Sequence, residues 1–148
     1  MADPSAVRLA AWYHDAIYDP GAPEGLNEEA SAELAERELA TLAMAPERVG
    51  AVGRLVRVTG GHQPAADDEA VLCDADLAVL AGDPATYTAY ATGVRAEYGH
   101  LDDATWRAGR AAVLRALLER PVLFHTPVMA PRDGPARANL TAELAGLS

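Results

Sequence analysis

The chain has 148 residues, half of them hydrophobic, which is enough for one domain with a packed core. Its net charge of −10 argues against non-specific binding to nucleic acid or acidic membranes, although metal ions can supply the positive charge that a phosphate substrate needs. Cys73 is the one cysteine, so we expect neither a disulfide framework nor a thiolate zinc site. With no long apolar run and no secretion signal, the expected location is the cytoplasm.

Helix-forming residues dominate the sequence, and aromatic residues make up only 5%. Apolar residues recur at helical spacing, with proline and glycine between the segments, which predicts an all-α fold. Asp3-Pro4 and Asp83-Pro84 each place a capping side chain before a proline, and Asn27 is the expected cap of the second helix. The predicted helices cover, in chain order, about residues 4–18, 28–43, 46–59, 68–81, 84–98, 103–120 and 136–147.

The organisation of the chain is predicted to be simple. No segment alternates apolar and polar residues long enough to indicate a strand, and no repeat or linker divides the sequence. We therefore predict one domain over residues 1–148, folded as a bundle of about six to seven helices.

His14 and Asp15 stand together near the end of the first predicted helix. Neighbouring side chains on a helix point about 100° apart, so both reach one ion only if it lies between those directions near the helix surface. Imidazole nitrogen with carboxylate oxygen suits a divalent metal such as Mn, Fe, Co, Ni or Zn. The alternative is a half-buried histidine beside a solvated acid, and the dipeptide alone does not decide between them.

Asp74 and Asp76 interrupt the otherwise apolar segment Val71–Ala81. A helix that is apolar all round belongs in an interior, where an unpaired carboxylate is costly. Asp76 lies in the middle of an apolar stripe and therefore needs a partner. A metal ion is one such partner, and an arginine or the amides of a helix N-terminus are the others.

His62 follows two glycines at the predicted end of the third helix. It is a candidate ligand for a second metal or for phosphate, and the alternative is a loop histidine without a role.

Seven short stretches, in this order along the chain, resemble the HD superfamily and in particular a bacterial family of predicted HD phosphohydrolases. They span nearly the whole sequence: Ala10–Asp19, Asn27–Ala32, Thr59–His62, Leu72–Leu80, Arg95–Tyr98, Gly109–Arg110 and Phe124–Pro127. The resemblance implies a helical bundle that holds a divalent metal ion (Mn, Fe, Co, Ni, Zn or Mg). It also implies hydrolysis of a nucleotide or small phosphomonoester by a metal-activated water.

The resemblance assigns roles to particular residues of this chain. His14, Asp15 and a later aspartate would be the metal ligands, and we place that aspartate at Asp76, with Asp74 as the second choice. Catalytic roles are expected for Asp15 and for Glu28, which would orient the water. The residues expected to border the site and bind substrate are Asn27, His62, Arg95 and Arg110.

One departure from the family pattern concerns the first metal histidine, which HD proteins supply from a helix upstream of the His-Asp pair. Only thirteen residues precede His14 here, and none is histidine. Either the true start lies farther upstream, or the protein is a natural truncation, or His62 partly compensates. If nothing compensates, three ligands remain and the metal affinity is expected to fall. The missing helix would also leave an apolar face that favours a homo-oligomer. The alternative function is therefore a helical module that binds a ligand or protein partner without hydrolysis.

Overall fold

The computed structural model describes residues 3–147, and every regular element among them is helical. The predicted all-α fold class is confirmed. The seven α-helices are α1 (Pro4–Tyr13), α2 (Leu26–Thr41), α3 (Pro46–Val58), α4 (Asp67–Leu77), α5 (Pro84–Glu97), α6 (Asp103–Glu119) and α7 (Asp133–Gly146). Two short 3₁₀ segments, Ala78–Ala81 and Ala130–Arg132, follow α4 and precede α7.

Side-chain caps fix the start of three helices. Asp3 accepts hydrogen bonds from the amides of Ser5 and Ala6 at the start of α1, and Asp83 accepts one from Thr86 at the start of α5. Both caps were predicted from the aspartate-proline pairs. Asp102 caps α6 in the same way, so these helices begin where a side chain satisfies the first free amides.

The predicted first helix is too long, because α1 ends at Tyr13 rather than near Tyr18. His14 is the C-cap, and residues 14–17 form a turn. The backbone of Ile17 is bound by the buried Ser31, whose hydroxyl accepts from the Ile17 amide at 3.0 Å and donates to its carbonyl at 3.1 Å. A partner fourteen residues away therefore replaces the helical hydrogen bond, and the His-Asp pair lies at the end of a helix instead of inside one.

Three other predicted boundaries also differ from the structure. The N-cap of α2 is Gly25 in a left-handed conformation (φ 80°), so Asn27 is not the cap but lies within the first turn. The fourth helix stops at Leu77 and continues only as a 3₁₀ turn. The last helix begins at Asp133, three residues early, because Pro135 fits within a first helical turn, where its missing amide hydrogen costs nothing.

The described chain forms two compact units, one ending at Asp76 and the other beginning at Leu77. In the first unit α1, α2 and α3 pack against one another around Ala6, Ala10, Ala32, Ala35, Leu39, Val52, Leu55, Val56 and Leu72. In the second, α5 and α7 pack on the 3₁₀ turn Ala78–Ala81 around Leu80, Ala81, Tyr87, Leu114, Leu123, Phe124, Ala136 and Leu140. That residues 1–148 act as one domain stays a prediction.

None of the helices described here has both the length and the apolar character needed to span a membrane.

Candidate functional site

His14 is oriented by the backbone of its own helix. Its Nδ1 lies 2.7 Å from the carbonyl oxygen of Ala11, and since a carbonyl only accepts, Nδ1 carries the hydrogen. The other ring nitrogen, Nε2, is therefore available to contact side chains outside α1. A backbone carbonyl that holds the second ring nitrogen in this way is also typical of histidines that bind metals.

Two carboxylates converge on the Nε2 atom of His14. Asp76 Oδ1 lies 3.2 Å away and Asp15 Oδ2 lies 3.3 Å away. Side-chain exposure is 22% for His14 and 25% for Asp76, whereas Asp15 is 69% exposed. Thus the end of α1, the turn after it and the C-terminal end of α4 bring together the three residues that the sequence predicted as neighbours.

His62 contacts the other carboxylate oxygen of the same acid. Its Nε2 lies 2.7 Å from Asp76 Oδ2, so the Asp76 carboxylate is shared by two histidines. The His62 backbone is in the left-handed region (φ 49°) and its amide donates to the carbonyl of Val58, which closes the end of α3. Non-glycine residues adopt this conformation at a cost, and the fold maintains it where it aims His62 at Asp76.

The charges of this cluster are strongly coupled. Hydrogen bonding to Asp76 raises the pKa of His14 to about 9, with smaller contributions from the Ala11 carbonyl and Asp15, while burial acts in the opposite direction. Burial raises the pKa of Asp76, but its hydrogen bonds to His14 and His62 and the charges of those rings lower it more, to well below its usual range. Two carboxylates around one imidazole nitrogen favour a positive charge between them, and with a pKa of about 9 His14 carries that charge at neutral pH.

The donor chemistry of the cluster fits a divalent transition metal, since imidazole nitrogens and carboxylate oxygens are the ligands such ions use. The donor separations of 3.2 and 3.3 Å are also close to the ~3.0–3.4 Å between ligand atoms around an ion with bonds of ~2.1 Å. However, among residues 3–147 no three His, Cys, Asp or Glu side chains are arranged to hold an ion as they stand. The ring nitrogens contact carboxylates directly, so an ion has to displace the proton on His14.

Asp74, the second choice for the later aspartate, is the more deeply buried acid of α4, with 2% exposure. Two residues along a helix correspond to a rotation of about 200°, so Asp74 and Asp76 leave α4 on different sides. Asp76 is the acid that faces His14.

Asn27, a predicted border residue, and Glu28, the acid predicted to orient the water, lie in the first turn of α2. The Asn27 amide group binds the backbone of Asp19 twice, accepting from its N–H and donating to its carbonyl, both at 2.9 Å. Together with Ser31 one turn later, Asn27 therefore fastens the segment that follows Asp15. The side chain of Glu28 lies against Gly60, because a Cβ added to Gly60 would be 3.3 Å from the Cγ of Glu28. Glu28 therefore lies beside the loop that carries His62.

Arg95 and Arg110 belong to the second unit and are engaged there. Arg95 donates to Asp103 at 2.8 Å and lies over the ring of Trp106. Arg110 is buried and forms a two-point ion pair with Glu143, at 2.7 and 3.0 Å. That either arginine binds a substrate held by His14 stays a prediction.

The negative charge of the chain is concentrated in the unit that contains the His14 cluster. Residues 1–76 contain fifteen acidic residues against five arginines, whereas residues 77–148 contain seven of each. The whole excess of −10 therefore surrounds the cluster, which favours the approach of cations and opposes that of anions.

Ser31 is the site-supporting residue that sequence reasoning missed. A serine in the middle of a predicted amphipathic helix looks like an ordinary polar position, and its partner, Ile17, was itself predicted to be helical. The local signal was the loop residues Asp19, Pro20 and Gly21, which mark the end of a helix only imprecisely.

Comparison of this chain with protein-family models, with curated proteins and with solved structures gave no match.

Proposed function

We propose that the first unit binds a divalent metal ion at His14, Asp15 and Asp76, and that the protein is a cytoplasmic, HD-type hydrolase of a nucleotide or small phosphomonoester. The observation that carries the proposal is the meeting of Asp15 and Asp76 at a single nitrogen of His14, within 3.3 Å. His62 adds a second imidazole to the same acid, with its Nε2 2.7 Å from Asp76 Oδ2.

The arrangement of His14, Asp15 and Asp76 favours a positive charge beside His14 Nε2. His14 Nδ1 is fixed by the Ala11 carbonyl, so the electron pair of the neutral ring is at Nε2, between the two carboxylates. Without the proton, three electron-rich atoms of His14, Asp15 and Asp76 lie together, and these residues would hold a cation in its place. The net charge of −10 in residues 1–76 adds a long-range attraction for that cation.

A divalent ion at this point would supply Lewis acidity, which polarises a phosphate oxygen and lowers the pKa of water. The roles of the chain follow from the contacts. Asp76 binds His14 and His62 and so fixes their positions relative to each other. Asp15 is the most solvent-exposed of the proposed ligands. Ser31 and Asn27 bind the backbone that follows Asp15 and so hold its turn in place. Glu28, beside the loop of His62, is the carboxylate proposed to orient the attacking water.

The test is release of inorganic phosphate from a panel of nucleotides and small phosphomonoesters, with Mn²⁺, Co²⁺ or Ni²⁺ added. His14→Ala and Asp15→Ala are expected to lower kcat/KM by about 100-fold or more. His100→Ala in the second unit and Asp67→Ala at the exposed start of α4 serve as matched controls and should retain activity. Equal activity in wild type and in both cluster variants would exclude the metal mechanism.

The direct pairing of the ring nitrogens with carboxylates favours a second candidate function, a helical module that binds a partner without hydrolysis. Elemental analysis after incubation with excess Mn²⁺ or Zn²⁺ separates the two. Stoichiometric metal that is lost in Asp76→Asn supports the hydrolase, and absence of bound metal in the wild type supports the binding module.

A further inference from the structure

A groove of about 710 Å³ runs between α5 and α7, within the second unit. Its volume is within the range of about 300–1,000 Å³ that is usual for small-molecule sites. Ala91, Ala96 and Ala142 form an apolar part of its wall. None of the residues lining this groove belongs to the His14 cluster, so the groove is a separate candidate site.

The polar side chains Asn139 and Thr88 in the groove already donate their hydrogens to backbone carbonyls of the protein. Asn139 donates both amide hydrogens to the carbonyl oxygens of Leu80 and Gly82, each at 2.9 Å, so only its Oδ1 remains for a ligand. The Thr88 hydroxyl donates to the Pro84 carbonyl at 2.7 Å and is likewise left as an acceptor. These two side chains therefore offer electron pairs and no hydrogens.

The neighbouring Tyr87 and Glu143 also present acceptors and no free donor hydrogen. The Tyr87 hydroxyl donates to Glu143 Oε2 at 2.5 Å, which leaves the phenol oxygen as an acceptor. Glu143 accepts three hydrogen bonds, from Tyr87 and twice from Arg110, while a carboxylate has about four acceptor positions. One acceptor position of Glu143 is therefore available on the carboxylate that lines the groove.

The other polar residues of the lining, Thr92 and Arg95, lie one and two turns farther along α5 than Thr88. At the Thr88 end, the complement of the four acceptors is a hydrogen-bond donor attached to an apolar body. We propose that the groove between α5 and α7 binds a small organic amine, with its N–H groups on Asn139 and Glu143 and its hydrocarbon part along the alanine wall. Arg95 lines the groove eight residues, or about 12 Å, farther along α5 than Tyr87. Its positive charge disfavours the amine at that end and so fixes the orientation of the ligand.

The experiment compares 4-phenylbutylamine with 4-phenylbutyrate, which share one apolar body and differ in their polar group. Titration of the full chain is followed by amide chemical shifts. The amine should give saturable shifts in residues 85–96 and 139–143. The carboxylate should bind about tenfold more weakly or worse, because its oxygens meet acceptors at one end of the groove and, at the other, an Arg95 that is already paired with Asp103. Equal or tighter binding of 4-phenylbutyrate, or no saturable shift with the amine, overturns the proposal.

A pair of variants on α7 tests the place of binding. Ala142 lines the groove and Ala138, exposed on the same helix, does not. Ala142→Leu fills the groove without touching its hydrogen bonds and should raise the Kd of the amine about tenfold or more, whereas Ala138→Leu should leave it unchanged. The same Kd in both variants would place binding elsewhere and refute the assignment.

Discussion

Replacing Ser31 by alanine tests how the turn after His14 is held. The Ser31 side chain is fully buried on α2, and its hydroxyl is the partner of both the amide and the carbonyl of Ile17. Ser31→Ala removes one oxygen atom and leaves these two backbone groups to find other partners. The change is small in volume, so the loss of hydrogen bonds dominates the effect.

The expected cost follows from those two contacts, at 3.0 and 3.1 Å. Each hydrogen bond contributes about 0.5–1.5 kcal/mol net, so Ser31→Ala should lower the free energy of unfolding by about 2 kcal/mol. For a chain of this length, that corresponds to a decrease in Tm of roughly 6 °C. The turn that carries Asp15 would loosen as well, and metal affinity should fall with stability.

Urea unfolding followed by circular dichroism measures this change, and Thr41→Ala on the same helix is the control. The Thr41 hydroxyl donates to the Glu38 carbonyl at 2.6 Å, but at an exposed position where water replaces the lost contact. Its removal should cost under about 0.5 kcal/mol. Equal losses for the two variants would refute the claim that Ser31 anchors the turn.

Three further predictions concern packing, a buried charge and pH. Gly53→Ala on α3 would place a Cβ 1.9 Å from Glu36 Oε1 and so separate Glu36 from Arg57, and we expect the free energy of unfolding to fall by about 1 kcal/mol. The control Gly50→Ala, where an added Cβ meets nothing within 4 Å, should raise it by up to about 1 kcal/mol through helix propensity. In the second unit, Glu143→Gln leaves the buried Arg110 without a carboxylate and should cost about 3 kcal/mol or more in urea unfolding; a loss under about 1 kcal/mol would contradict this. The metal-free protein should lose stability as pH rises from about 6.5 through 9, because the pKa of His14 is raised by folding to about 9 and its stabilising proton is lost over that range. Unfolding curves at several pH values measure this, and a slope over that range that His14→Gln leaves unchanged would show another group to be responsible.

Local rules predicted most of the fold. Aspartate-proline pairs located the starts of α1 and α5 because capping and the fixed φ of proline act within a few residues. The end of α1 was wrong because it depends on Ser31, a contact between distant parts of the chain. Helix propensity does not encode such contacts, and the same reason explains why Asn27 was taken for a cap when its amide instead binds Asp19.

The partners of Asp76 could be predicted from the burial of an acid and from the types of side chain available. The position of His62 and the distribution of charge around the site could not be predicted. An acid within the apolar run around Asp76 implied a charged or polar partner, and the partners are indeed His14 and His62. The left-handed turn that aims His62 at Asp76 gave no sequence signal beyond the two glycines before it. The division of charge between residues 1–76 and 77–148 became meaningful only once the two compact units were known.

The claim that the His14 cluster binds a divalent cation is tested most directly by calorimetric titration of the protein with Co²⁺. Asp76→Asn, which removes the shared carboxylate, is compared with Asp67→Asn at the exposed start of the same helix. We expect saturable binding with proton release in the wild type and in Asp67→Asn, and binding about 100-fold weaker in Asp76→Asn. Binding that is absent from the wild type, or that survives unchanged in Asp76→Asn, would contradict it.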